Sequence, residues 1–343
     1  MKQRIFVADV KLKLIAVSDI HYNYNHKTNN TFLLTIVNYI AEQEADVILI
    51  TGDIDHNYQR LRFVLKIFKE KNPDSEILFV PGNHDIWRES QISNSSPHLS
   101  PKNTEISETV KKYYHLLPNI CRKLNIHYLP NNPIILENIG FIGSIGWYDY
   151  SYRNRKFDEL LAKRFAQLAK IDYSAEKKQS FVIASYALQE INHKYWQDKL
   201  LADWGFNKER PKERHTDISV CQQMMKELQD DYSTIKDSCE KIVVGTHCVP
   251  FQEFIIYKNT LDWDYFSAFM GSEDLGEFIL SNKKIRYAIF GHTHYPTELK
   301  IKQHLTAICT PIGLQHEFFN QKIINTNKYR QAIKQRIAII KQI

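Results

Sequence analysis

Cysteine pairs are missing from this sequence. Cys121, Cys221, Cys239, Cys248 and Cys309 are odd in number, widely spaced and never arranged as Cys-x-x-Cys. That excludes a thiolate zinc ribbon and argues against a secreted disulfide framework, leaving buried thiols in a reducing compartment. Long apolar runs are missing too. None reaches the roughly 18 residues of a membrane-spanning helix, and the early run Ile5-Phe6-Val7-Ala8 stops at Asp9, too short for a signal-peptide core. A cytoplasmic location and no transmembrane segment are the expectation. Acid is absent from the end of the chain: after Glu317 come Lys322, Lys328, Arg330, Lys334, Arg336 and Lys341, with no Asp or Glu. These cations account for the whole net charge of +6, so the basic balance belongs to the tail and not to the body. Glycine is also scarce, at 11 in 343 residues, yet Gly52, Gly82, Gly245 and Gly291 all fall in short polar motifs.

What is present is ordinary globular composition, 43% hydrophobic and 24% charged, with ample apolar material for a large core. Disorder, collagen and coiled coil are excluded as whole-chain descriptions. Residues 12–18 read as a strand apolar on both faces, followed by an amphipathic helix over 31–45, a strand over 47–50, a helix over 57–70 and a strand over 77–80. The β-α-β-α-β order predicts helices packed over a largely parallel sheet. Residues 90–101 read as a loop, 134–142 as a hairpin turning at Asn138, and 299–310 as a final hairpin. Strand signals also mark 242–244 and 287–290. Between them the pattern turns helical, charged and aromatic. The expected organisation is one α/β domain made of 1–147 and 241–314, a helical insertion or cap over 148–240, and a basic amphipathic C-terminal helix over 315–343.

Each buried strand runs into a polar cluster: Asp19-Ile20-His21, Gly52-Asp53-Ile54-Asp55, Gly82-Asn83-His84-Asp85, Gly245-Thr246-His247 and Gly291-His292-Thr293-His294. Sites of open α/β sheets lie outside the carboxyl ends of the strands, so five such ends would gather Asp19, His21, Asp53, Asn83, His247, His292 and His294. Seven N and O ligands exceed one four-coordinate zinc and suit two divalent ions. Mn, Fe or Zn fit best and Mg is admissible. Asp-x-His and His-x-His put alternate side chains on one face of an extended segment. Two ions ~3.5–4 Å apart can hold a hydroxide and clamp a phosphoryl group. His84 is the spare imidazole, and Asp85 is expected to orient it.

In this order the blocks DIH, GDID, GNHD, GTH and GHTH resemble the calcineurin-like metallophosphoesterase superfamily, with steps of roughly 30 residues between the first three. The resemblance spans residues 12–314 except most of the middle. It implies a four-layer α/β/β/α sandwich, a first metal on Asp19, His21, Asp53 and His294, and a second on Asp53, Asn83, His247 and His292. Asp53 would bridge them, and His84 would protonate or stabilise the leaving group. The implied activity is hydrolysis of a phosphodiester or phosphomonoester. The forms GDIDH and GNHD look nearer to phosphodiesterase and nuclease branches than to phosphoprotein phosphatases. A DNA or RNA nuclease anchored by the basic tail is the alternative, and a non-enzymatic metal-dependent binding module the third reading.

Weaker signals are read more plainly. Gly140, Gly143 and Gly146 have the wrong spacing for a dinucleotide loop, and a closely packed strand is expected. Trp147, Tyr148, Asp149 and Tyr150 are candidates for a substrate wall or for packing. Phe269 to Ser272 is expected near the substrate, with Ser272 equally readable as a helix N-cap. Asp55 is expected to orient a ligand. His26, His56 and His304 read as surface or packing residues. In the tail, Tyr329, Ile333, Ile337 and Ile340 have helical spacing, which predicts a helix docking on its own domain, with a nucleic acid, membrane surface or partner as the other options.

Overall fold

The first three apolar runs and a short fourth one form a parallel array. In the computed structural model, β1 (Leu14–Val17), β2 (Val47–Thr51), β3 (Glu76–Val80) and β4 (His127–Tyr128) are hydrogen-bonded in that order. The structure describes residues 11–25, 30–89, 106–187, 190–191, 194–205, 213–318 and 326–343. His26, Lys322, the run ending at Asp9 and the loop expected over 90–101 lie outside these residues.

A second sheet is built from β5 (Ile134–Leu136), β6 (Ile139–Ser144), β9 (Lys241–Thr246), β10 (Ile285–Phe290), β11 (Thr297–Lys302) and β12 (Leu305–Cys309), in the order β11-β12-β10-β9-β6-β5. Its central strands are parallel, and the hairpin strands β5 and β11 close its edges antiparallel. Both hairpins and the Gly140–Gly143 strand fall where the sequence puts them.

Side-chain alternation makes the layers. Leu14, Ala16, Val47, Leu49, Leu78 and Val80 face the other sheet and pack on Phe141, Val243 and Ile289. Their neighbours Ile15, Val17, Ile48, Ile50 and Phe79 face outward onto helices Thr31–Ala41 and Tyr58–Lys71. On the far side Ile142, Val244 and Phe290 pack under helices Asp217–Ile235 and Glu273–Ser281. The result is the four-layer α/β/β/α sandwich.

Residues between β6 and β9 carry helices Asp158–Ala169, Lys178–Ala187, Gln197–Leu201 and Asp217–Ile235, with a small hairpin β7 (Glu190–Ile191) and β8 (Lys194–Tyr195). This segment is joined to the body through Asp217, whose carboxylate accepts from Trp147 Nε1 at 3.0 Å, from the Tyr150 hydroxyl and from Lys199. Trp147, Tyr148 and Tyr150 are buried among Trp204, Phe269 and Tyr186. Of the two readings offered for them, the structure gives packing.

The tail departs from a single helix. Helix Thr326–Lys334 buries Tyr329 and Ile333 against Phe32, while Arg330 pairs with Glu42. The chain then extends as β13 (Ala338–Ile340), which pairs antiparallel with β1, Leu14 opposite Ile340. β1 would otherwise be an edge, and its unpaired backbone groups override the helical spacing of Ile337 and Ile340.

Candidate metal centre

The strand ends converge because the loops leaving them are tied together. Asp19 N–H donates to the Gly52 carbonyl and His21 N–H to the Asp53 carbonyl, each at 2.9 Å. Gly52 sits at φ +86°, and a Cβ there would meet Gly82 N at 2.2 Å. A Cβ at Gly291 would meet Asp19 Oδ2 at 2.2 Å. These two glycines let four loops close on one point. Asp19, His21, Asp53, His292 and His294 themselves adopt positive φ, a backbone strain that concentrates at functional sites.

All seven residues expected as ligands are brought together. Asp19, His21 and His294 form one donor group, Asp53, His247 and His292 a second, and His21, Asp53 and His84 a third between them. Asp53 lies between them. Its Oδ2 is 3.7 Å from His21 Nε2, 3.4 Å from His247 Nε2 and 3.8 Å from His84 Nε2. His294 Nε2 is 3.5 Å from Asp19 Oδ1, and Asn83 Oδ1 is 2.9 Å from His247 Nε2.

The outer partners of these rings decide what they present inward. His247 Nδ1 faces the Thr51 carbonyl at 2.8 Å, His292 Nε2 the Phe269 carbonyl at 3.2 Å, and His294 Nδ1 the Glu317 carboxylate at 2.8 Å. Each outer nitrogen must carry hydrogen, so in the neutral rings each inner nitrogen is a lone pair. The inner nitrogens of His292 and His247 therefore face one another at 3.2 Å with no donor between, and His21 Nε2 lies 2.8 Å from the His294 Nε2 lone pair. With the Asp19 and Asp53 carboxylates and Asn83 Oδ1, the centre is a set of acceptors that only cations or protons can satisfy. Titration behaviour repeats the point. Burial opposes charge on His247 and His294, but Asp53 pushes the first up to about 9, and Asp19 with Glu317 pushes the second up to about 10. Burial and a neighbouring imidazole then push His21 and His292 down to about 4. Two divalent ions fit this donor set.

His84 stands beside the centre, stacked on Trp87 with ring centroids 3.6 Å apart. Its Nδ1 is buried without a partner. Asp85 does not orient it. The Asp85 carboxylate turns the other way and accepts the N–H groups of Gly82, Asp53, Ile54 and Asp55 at 2.8–3.0 Å, so it shapes the turn that carries Asp53. Asp55 is engaged with Arg60 and touches no site ligand. Ser272 occupies an N-cap position without capping and donates to Asp149, whereas Phe269 and Met270 do reach the site.

Three participants escaped the sequence. Glu317 holds His294, Trp87 holds His84, and Asp198 holds Asn83. Asp198 lies 115 residues from Asn83, in no motif. Its buried Oδ1 accepts Asn83 Nδ2 and Trp87 Nε1, each at 2.7 Å, and its Oδ2 accepts Trp196 Nε1 at 2.8 Å. The Asn83 amide is thus turned with its oxygen toward His247. Asp198→Ala is expected to weaken Mn²⁺ binding at the Asn83 side of the centre by about 10–100-fold. Calorimetric titration checks this, and unchanged affinity at both steps would contradict it.

Comparison with known proteins gives the family and the fold. Residues 12–211, more than half of the chain, match the family model described as calcineurin-like phosphoesterase. That match ends before His247. The fold is shared with phosphopantetheinyl hydrolase from Mycobacterium tuberculosis, at 17% identity and TM-score 0.60, covering 93% of this chain and 95% of that one. A dimetal phosphatase from Danio rerio aligns at 13% identity and TM-score 0.43, over 89% of this chain and 88% of that one. No curated protein matches the chain.

Proposed function

We propose, from the premise that this chain belongs to the calcineurin-like phosphoesterase family, that it is a dinuclear metal-dependent phosphodiester hydrolase. The observation carrying this reading is the acceptor-rich cluster of imidazoles and carboxylates gathered around Asp53. Asp19, His21, Asp53 and His294 would hold one ion, and Asp53, Asn83, His247 and His292 the other. When bound, such ions neutralise phosphoryl oxygens and activate the attacking water. The remaining work falls to the chain. Burial keeps His84 neutral, well below its ordinary value, so its ring can present an Nε2–H to the ester oxygen while Trp87 fixes the ring plane.

The choice of diester rests on charge. A phosphomonoester brings a second negative charge that calls for a further cation. Among the described residues lining the adjoining cleft, Arg336 is the one Lys or Arg, and its Nη1 donates to the Ile312 carbonyl at 2.9 Å and the Pro311 carbonyl at 3.3 Å. With Arg330 on Glu42 as well, the basic tail lends a nuclease little support. The phosphopantetheinyl group named for the mycobacterial neighbour is compatible with a diester substrate. The test is turnover of bis(p-nitrophenyl) phosphate against p-nitrophenyl phosphate with Mn²⁺, Mg²⁺ and Zn²⁺. The diester is expected to have the higher kcat/KM by roughly tenfold or more, beyond about 1.4 kcal/mol. A monoester preference would overturn it.

A further inference from the structure

The cavity of about 430 Å³ over the centre has two unlike sides, with Thr293, Tyr295, Glu317 and Arg336 as a polar stretch of rim beside them. One is the acceptor set, with Asp53, Asn83, His84, His292 and His294. The other is Trp196, Phe254, Ile256, Trp263, Phe266 and Met270. Ile256 and Trp263 remain 40% and 37% exposed despite being large and apolar, and both stand on the rim of this cavity. Exposed apolar surface gathered at a pocket is a mark of ligand contact.

The wall is held in place by polar groups that a ligand cannot use. Trp196 Nε1 donates to Asp198, and Trp263 Nε1 donates to the Ile256 carbonyl at 2.7 Å. Both indole N–H groups are satisfied; the Lys258 ammonium covers one face of the Trp263 ring, its Nζ 3.1 Å from the centroid, so the apolar surface offered is the rest of the Trp263 ring and Trp196. The loop carrying Ile256 and Trp263 is fixed by buried Asp264, which accepts Lys258 N–H at 2.8 Å, Asn259 N–H at 3.0 Å and Asn154 Nδ2 at 2.6 Å. A fixed wall lowers the ordering cost of binding. Away from Lys258, a second phosphate laid along Trp196, Phe254, Ile256 and Phe266 would meet hydrocarbon and be poorly compensated.

We propose that this wall receives an uncharged, apolar arm of the substrate, whose phosphoryl group sits at the acceptor centre. The assignment rests on the diester reading and adds the chemical class of one ester arm. Phe254, Ile256, Trp263 and Phe266 are then specificity-determining residues that read the arm, while the centre reads the phosphate.

The experiment uses the Mn²⁺-loaded full chain and a series of methyl alkyl phosphodiesters with methyl, butyl and hexyl arms. Affinity is measured by calorimetry and by competition against bis(p-nitrophenyl) phosphate. Binding is expected to tighten by roughly two- to fourfold per added methylene. In the Ile256→Ala/Trp263→Ala double variant this dependence flattens, while an unchanged circular dichroism spectrum and Mn²⁺ content report that the variant folds. Affinity independent of chain length, or a dependence kept in the double variant, overturns the apolar arm and leaves the diesterase intact. Chain-length dependence without turnover of any diester overturns the diesterase reading and leaves the wall as a binding site.

Discussion

Asp53→Asn is expected to release both ions and to lower kcat/KM with bis(p-nitrophenyl) phosphate by on the order of 10³-fold or more. The reason is position. One carboxylate oxygen lies within 3.8 Å of the His21, His84 and His247 imidazole nitrogens, so it faces both proposed ions and losing its charge would weaken both at once. An amide in its place also directs an NH₂ into a set of acceptors. The fold should survive, because Oδ1 can still accept the His84 backbone N–H, which it does at 2.9 Å. Metal analysis after gel filtration separates the outcomes. A folded, metal-poor, inactive variant fits, and a variant retaining both ions would show that Asp53 is not shared.

His84→Ala is expected to do the opposite with metal. It should keep both ions and lose about 10²–10³-fold in kcat, the range for a hydrogen-bond donor aimed at charge developing on the leaving oxygen. His84 is left out of the proposed ligand set, and its ring is held by stacking on Trp87. A non-enzymatic binding module would show metal without turnover in the unsubstituted chain, and His84→Ala would then change nothing measurable. Metal loss in His84→Ala would place this imidazole among the ligands.

The centre was legible because its chemistry sits where local signals are strongest. Short buried strands end at Asp19, Asp53, Asn83, His247 and His292, and a parallel sheet brings such ends to one edge. What holds the ligands in orientation was much less legible. Asp198 and Glu317 act across long sequence separations, and a lone carboxylate carries no spacing that marks it. Asp85 misled for the opposite reason. Adjacency to His84 suggested a partner, whereas a tight turn directs consecutive side chains apart and sends this carboxylate to the Asp53 turn. Ile337 and Ile340 fit a helical stripe, but only the three-dimensional position of β1 reveals an edge to be paired. Trp147 and Tyr150 lie just past a strand end, as the ligands do, and are packed instead by Asp217, which arrives from the insertion.

The central claim is that one carboxylate joins two ions in a single centre. Electron paramagnetic resonance of the metal-stripped chain, reloaded with Mn²⁺ and quantified for bound metal, tests it most directly. Two Mn²⁺ per chain with an exchange-coupled spectrum, lost in Asp53→Asn, is the predicted result. One Mn²⁺ per chain, or two with the uncoupled spectrum of isolated ions, would contradict it.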